Sequence, residues 1–575
     1  MVIMSKRRGS PRARIARTLA FLPLLIGACG DDSNTTSGGG SGGSAGTTGG
    51  SAGSSATGGA GGTGGGAGGA AGSGASAGSG GSAGSGASGG SGGGAGSTGS
   101  GGSGGAGGSG KGGSAGSAGA GGGGKAGSAG AAGSAGAGGG DAGTGPTPQI
   151  ITISSTGHDR FYGVAHDASG NVYATGHAAD ATSSTSDYAT VLVKFLPTGA
   201  KDPSFGTAGV VNYNAAVGAA GELARGIVVQ STGKIVVSAS VEHAGGDPRD
   251  RDVAIMRFNT NGTLDMTFGT NGVRILDLSA GEVPDGGLPD GGITVVPENT
   301  WGLSAFPNDD LIVLGARKAD GRNDTDFAMV KLKADGANDM TWATSGMFTL
   351  DVSNASGNPK TTAILPDGSV VGSGYMGGSS GPIPVIWKLT PAGALDTSFG
   401  MNGVFNQPVL AATTEVYGIA LQGTNLVTAG YGRATTSEAV DLLSIRLTAA
   451  GALDTTYGTS GFVRVDVGGF GDNGRALAVL PDNRVVMLGG GRPTMNDVDA
   501  VVAVLTPDGK PDTTFGPNGF RAYDLGGNND FFWAGSVAPD KKSLAVVGLK
   551  SGTPANDAGP PGNDDAAILI LPITP

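Results

Sequence analysis

Leu395-Asp396-Thr397-Ser398-Phe399-Gly400 is one of six near-copies spread through the C-terminal three quarters of the chain. The others are Lys201-Asp202-Pro203-Ser204-Phe205-Gly206, Leu264-Asp265-Met266-Thr267-Phe268-Gly269, Asn338-Asp339-Met340-Thr341-Trp342-Ala343, Leu453-Asp454-Thr455-Thr456-Tyr457-Gly458 and Pro511-Asp512-Thr513-Thr514-Phe515-Gly516. Their aspartates stand 63, 74, 57, 58 and 58 residues apart. A second glycine follows each copy three residues on (Gly209, Gly272, Gly346, Gly403, Gly461, Gly519). Self-similarity at a period near sixty marks a repeat architecture before any element is assigned.

Each unit holds four short runs rich in Val, Ile, Leu and aromatics. In the second they are 224–230, 234–240, 252–258 and 273–277. Runs of that length, β-branched and bounded by Gly, Pro, Asn and Asp, read as strands, and no stretch of the domain sustains a helical period. The first two runs are joined by turns such as Leu365-Pro366-Asp367-Gly368 and Leu480-Pro481-Asp482-Asn483, where proline presets the turn and Asp caps it. Four antiparallel strands per unit predict an all-β fold, a β-propeller. First strands begin near Phe161, Ala224, Thr300, Lys360, Val416, Arg475 and Phe532, which makes seven blades. The last unit ends at Leu571 without a fourth strand, and 149–153 aligns with the fourth strands of other units. The N-terminal strand is therefore expected to close the final four-stranded blade, leaving no gap in the ring.

The motif turn, together with third strands such as Asp326-Phe327-Ala328-Met329-Val330-Lys331-Leu332, resembles the bacterial delta-60 repeat family over residues 148–575. That resemblance implies a propeller and assigns no catalytic residues. The third copy departs most, with Asn338 for Leu, Trp342 for Phe and Ala343 for Gly.

Residues 1–28 read as a lipoprotein signal peptide: a basic start (Lys6, Arg7, Arg8, Arg12, Arg14, Arg17), then an apolar stretch too short to span a bilayer. It ends at Ile26-Gly27-Ala28-Cys29, which resembles a bacterial lipobox. Cys29, the single cysteine, is the expected lipidation site, so the mature chain has no internal disulfide. Residues 29–147 are almost wholly Gly, Ser, Ala and Thr, a composition expected to stay a disordered linker or stalk. The expected address is extracytoplasmic, lipid-anchored to a bacterial membrane, at the outer membrane or cell surface.

Eight basic and three acidic residues precede residue 148, leaving 27 basic and 43 acidic in the propeller, a net charge of −16. That balance argues against nucleic acid as a partner and suits a soluble, monomeric domain outside the cell. The partner expected is an extracellular polymer or protein.

Groups common to all blades, including the motif aspartates, motif aromatics and small residues in second strands, read as packing. Function is sought in residues that break the repeat. One equivalent position at the start of the first strand holds Tyr162, Arg225, Trp301, Lys360, Tyr417, Arg475 and Trp533. Such a collar at the channel mouth, on the face of the longer loops, suits a sugar ring or a carboxylate. The four histidines fall in the first two blades, and His158, His177 and His243 are the candidate zinc ligands, though their spacing matches no established pattern. Asp-rich loops before third strands (Asp247 to Asp252, Asn323 to Asp326, Asn496 to Asp499, Asn563 to Asp565) have calcium-type oxygens without a calcium motif. The acidic insertion Glu282–Gly292 accounts for the 74-residue interval and is expected to be an exposed loop. No nucleophile elbow, phosphate loop or dinucleotide fingerprint stands in the strand-to-helix context such motifs require. The first functional expectation is a non-enzymatic binding module. The alternatives are a propeller enzyme, such as a lactonase-like hydrolase or quinone-dependent dehydrogenase, and a structural component of envelope or matrix.

Overall fold

The computed structural model describes residues 145–575, apart from 155–156, 180–187, 216–220, 244–250, 280–297, 319–323, 528, 553–563 and 574–575. Cys29, nearly all of the glycine-rich segment, Glu282–Gly292 and parts of the Asp-rich loops lie outside the described residues.

Seven four-stranded antiparallel sheets follow one another. Blade 1 is built from β2 (Asp159–His166), β3 (Val172–Ala179), β4 (Tyr188–Phe195) and β5 (Val210–Tyr213). Blades 2 to 6 repeat this order, each inner strand first and each outer strand last. In blade 7, β28 (Asp565–Pro572) pairs with β1 (Gln149–Ile151), in the register Gln149 to Ile568 and Ile151 to Ala566. The expected N-terminal closure is therefore present, two residues shorter than the sequence pattern drew it.

The core lies between blades. Phe161, Val193 and Phe195 of blade 1 pack with Val547 and Ile568 of blade 7, and Tyr173 and Phe205 of blade 1 pack with Ile235, Val237 and Met256 of blade 2. Each such side chain taken out of water contributes about 1.5–3 kcal/mol before ordering costs. The motif aromatics Phe205, Phe268, Trp342, Phe399 and Tyr457 are at most 2% exposed. In four seams the turn glycine of the next blade (Gly336, Gly393, Gly451, Gly509) lies so close to the ring that an added Cβ would sit within 2.8 Å of it. Each motif aspartate caps the Ser or Thr two residues on, as Asp265 does for Thr267 at 2.7 Å. Each also holds a cation: Lys194–Asp202 at 2.9 Å, Arg257–Asp265 at 2.7 Å, Lys331–Asp339 at 2.9 Å, Lys388–Asp396 at 2.9 Å and Arg446–Asp454 at 2.8 Å. In blade 6, Arg484 reaches Asp512 at 3.2 Å instead. The third copy keeps this geometry, because Ala343 accepts φ 48° where Gly206, Gly269, Gly400 and Gly458 take 52–54°.

Candidate ligand site on the propeller axis

Every inner strand slips its register once. In blades 1, 2, 3, 5, 6 and 7 the pairing skips a single residue, and these are Tyr162, Arg225, Trp301, Tyr417, Arg475 and Trp533. In blade 4 it skips Lys360 and Thr361. A β-bulge bends a strand and re-aims the side chain it carries. All seven predicted collar residues are thus bulge residues, brought together around the axis.

The bulge also accounts for the small residues in second strands. In six blades this residue is glycine, and the close approach it permits is inside the blade, to the inner-strand carbonyl two residues before the bulge; blade 2 carries Ala239 there. A Cβ on Gly176 would stand 1.8 Å from the Arg160 carbonyl oxygen, and one on Gly430 1.9 Å from that of Glu415.

Around the ring, aromatic and cationic side chains alternate. Arg225 Cζ lies 3.6 Å from the Trp301 ring centroid and 5.8 Å from that of Tyr162. Lys360 Nζ lies 4.1 Å from Trp301 and 4.3 Å from Tyr417. Arg475 Cζ lies 4.7 Å from Tyr417 and 4.8 Å from Trp533. Seven is odd, so one contact must join two aromatics. It is the edge-on pair Tyr162–Trp533, centroids 4.9 Å apart. The ring is a closed circuit of six cation–π contacts and one aromatic contact, each cation held between π faces that attract it.

The five members other than tryptophan are 2–7% exposed, and Trp301 and Trp533 are half-buried. The ring therefore forms a layer across the channel, where the sequence suggested a wet rim. A cavity of about 250 Å³ lies against it. Its lining is the ring and the next two residues of every inner strand, from Gly163-Val164 round to Ala534-Gly535. Among the described residues, none N-terminal to the ring contributes. The cavity thus lies on the side of the first hairpin turns, away from the starts of the inner strands.

Beside the ring, Glu415 accepts the hydroxyls of Tyr431 at 2.6 Å and Tyr417 at 3.2 Å. Burial pushes both phenols well above their ordinary range, so they remain donors to that carboxylate. Three of the seven ring residues are cations, Arg225, Lys360 and Arg475, and the buried Glu415 carboxylate stands against one of the tyrosines.

Three residues before the ring position, five inner strands carry a buried acid: Asp159, Glu222, Glu298, Asp472 and Asp530. Each ties down the chain leaving the preceding blade. Asp472 accepts the Val467 and Arg492 amides, both at 2.9 Å, and Asp530 those of Leu525 and Ser551 at 2.8 and 3.0 Å. Desolvation raises the proton affinity of four of them, to about 6 for Asp159 and Asp530, about 7 for Asp472 and about 8 for Glu298.

The predicted zinc ligands are separated. His158 Nδ1 stands 3.1 Å from Asp564, His177 packs between the Tyr162 and Tyr188 rings, and His243 pairs with Asp252 at 3.1 Å in the next blade. Among the described residues, the groups of three or more whose ligand atoms all come within 4.8 Å of one another are all carboxylate. They are Asp252-Asp277-Glu298, Asp324-Asp326-Asp351, Asp441-Asp466-Asp472 and Asp497-Asp499-Asp524. Each unites the start of a third strand with the end of the fourth, and two add the capping acid of the next blade. Their oxygen-only chemistry is of the kind calcium accepts. In the last group burial and the neighbouring carboxylates push Asp499 up to about 7.

A family model described as a domain of unknown function (DUF5122) beta-propeller matches residues 230–268 and 365–399. Both stretches run from a first hairpin turn to a motif aromatic. The chain is a seven-bladed β-propeller. No curated protein matches the sequence. Among solved structures, a glucose dehydrogenase is 13% identical over 60% of this chain and 96% of its own, with a TM-score of 0.34. Sqt1 of Chaetomium thermophilum is 12% identical over 74% and 98%, with a TM-score of 0.34. The beta-propeller domain of the Trilobed protease from Pyrococcus furiosus is 10% identical over 72% and 96%, with a TM-score of 0.36. Likenesses of this order say nothing of what this propeller acts on.

Proposed function

We propose that this chain is a cell-surface, lipid-anchored binding module without catalytic activity, whose propeller takes an anionic ligand at the axial ring. The observation that supports the reading is that the residues breaking the repeat converge: Arg225, Lys360 and Arg475 meet on one axis, each oriented by two aromatic faces. Guanidinium and ammonium groups held in place lose little entropy on meeting a carboxylate, sulfate or phosphate. Concave sites with a few oriented polar groups are where ligands are first sought. The address is carried by sequence alone, through the lipobox-like Cys29 and the glycine-rich stalk.

The test is a screen of the full chain against arrayed surface polymers, glycans and small organic anions, beside the Arg225→Met/Lys360→Met/Arg475→Met variant. Methionine keeps length and burial while removing charge. Anionic hits lost in the variant, with its melting transition retained, are the expected result; hits that survive it would place recognition elsewhere. Cys29→Ser should move the protein from the membrane pellet to the soluble fraction.

A further inference from the structure

The ring is only one end of the axial cavity. Along the inner strands, the first residue beyond it is glycine or alanine in six blades and Thr361 in the other. That small layer leaves the space open. The next layer is mostly aliphatic: Val164, Ile227, Leu303, Ile419 and Leu477. The two hydroxyls in the lining beyond the ring are already engaged. Thr361 Oγ1 accepts the Ile419 amide at 3.0 Å, and Thr362 Oγ1 shares a hydrogen bond with Ser304 at 2.7 Å. No charged side chain lines the cavity below the ring. The volume, about 250 Å³, falls below the roughly 300–1,000 Å³ of drug-sized sites.

From this we infer that the cavity takes a compact monocarboxylate with an apolar body. The carboxylate meets Arg225, Lys360 and Arg475, and the body lies among the aliphatic layer on the hairpin-turn side. The inference rests on the ring being the ligand site and narrows what it takes. A sugar acid would satisfy the cations equally. Its hydroxyls, however, would leave water for walls whose own hydroxyls are spoken for, and polar groups buried without partners oppose binding. An aliphatic body gains by the same transfer. A polymer laid across the face would reach the cations only by a chain end, since the ring sits at the cavity's inner limit.

Three six-carbon probes separate these chemistries: hexanoate, 1-hexanol and glucuronate. Trp301 and Trp533 report occupancy, being half-buried members of the ring, whereas Trp342 and Trp387 are buried between blades at 2% and 0% exposure. Titration of the full chain should show hexanoate quenching or shifting their fluorescence, with at least tenfold weaker binding for each of the other two. Arg475→Met should weaken hexanoate at least tenfold. Should that variant fold poorly, Leu303→Gln leaves all seven ring residues in place and should weaken hexanoate at least fivefold without affecting glucuronate. Glucuronate or hexanol binding as tightly as hexanoate overturns the inference, and so does no binding by any probe at millimolar concentration. Whether the ring reading falls with it is decided separately by the polymer screen: anionic hits lost in the triple methionine variant would leave that reading standing.

Discussion

Replacing Arg225 by Met and Trp301 by Leu, singly and together, isolates the shortest contact of the ring. The guanidinium carbon stands 3.6 Å from the indole centroid and Arg225 is 7% exposed, so the pair is largely desolvated. A cation–π contact in that setting is worth about 2 kcal/mol, against about 0.5–1 kcal/mol at an exposed site. The single changes also alter packing and solvation, and the double-mutant cycle removes those common terms. The second contact of Arg225, with Tyr162 at 5.8 Å, lies near the reach of the effect. The cycle with Tyr162→Leu should then give less than about 0.5 kcal/mol, close to the scatter of additivity for independent sites. Urea unfolding of the four proteins in each cycle gives both coupling energies. The Arg225–Trp301 coupling should be about 1–2 kcal/mol and little changed by salt, because the guanidinium is buried. Equal couplings in the two cycles, or an Arg225–Trp301 value below about 0.3 kcal/mol, would refute the claim that the ring is held by alternating cations and π faces.

Stability should peak on the acid side of neutrality. Asp159, Glu298, Asp472 and Asp530 hold protons more tightly when folded than in the unfolded chain, up to about 6 to 8. Their stabilising protonation is therefore complete below about pH 4 and lost as pH rises through 6 to 8. The motif aspartates act oppositely: salt bridges and turn caps hold Asp202 and Asp339 near 2, so their contribution is present above about pH 4 and lost below it. The melting temperature should be highest near pH 5 and fall towards both 8 and 3; Asp472→Asn should flatten the alkaline side, and a steady rise from pH 5 to 8 would contradict the assignment. Ala343→Gly should stabilise by about 1 kcal/mol in urea unfolding, since the left-handed φ of 48° costs alanine what glycine does not pay. Deleting Gln149–Ile151 should expose the β28 edge, lower the melting temperature and produce concentration-dependent oligomers in light scattering, whereas an unchanged monomer would show the clasp to be dispensable.

The seam aromatics were legible in the sequence because each stands three residues after a motif aspartate, the blade count because the motif and the first hairpin recur, and the closing strand because the last unit lacks a fourth run that 149–153 supplies. The ring residues were legible as a set for the opposite reason: one equivalent position filled by seven large, differing side chains. Their arrangement was less so. The alternation of aromatic and cation is written in the order Tyr162, Arg225, Trp301, Lys360, Tyr417, Arg475, Trp533, yet its meaning depends on the bulge that turns each side chain inward. A bulge changes pairing partners without changing composition, so the strand pattern alone places the same residues on a wet rim. Two further signals were readable and passed over. A Lys or Arg stands eight residues before five of the six motif aspartates, and an acid stands three residues before five of the seven ring positions. Both mark ion pairs or caps whose partners are distant along the chain or in the next blade. The histidines misled by proximity in sequence: His243 belongs to a different blade from His158 and His177, and pairs with its own blade's Asp252.

The central claim is that a strongly acidic propeller holds a cationic, anion-receptive site on its axis. Quenching of Trp301 and Trp533 by iodide and by caesium at equal ionic strength reads the sign of the local potential directly, because Trp342 and Trp387 are shielded between blades. The account predicts a clearly larger Stern–Volmer constant for iodide, reduced towards that of caesium in the Arg225→Met/Lys360→Met/Arg475→Met variant. Stronger quenching by caesium in the unaltered protein would contradict it.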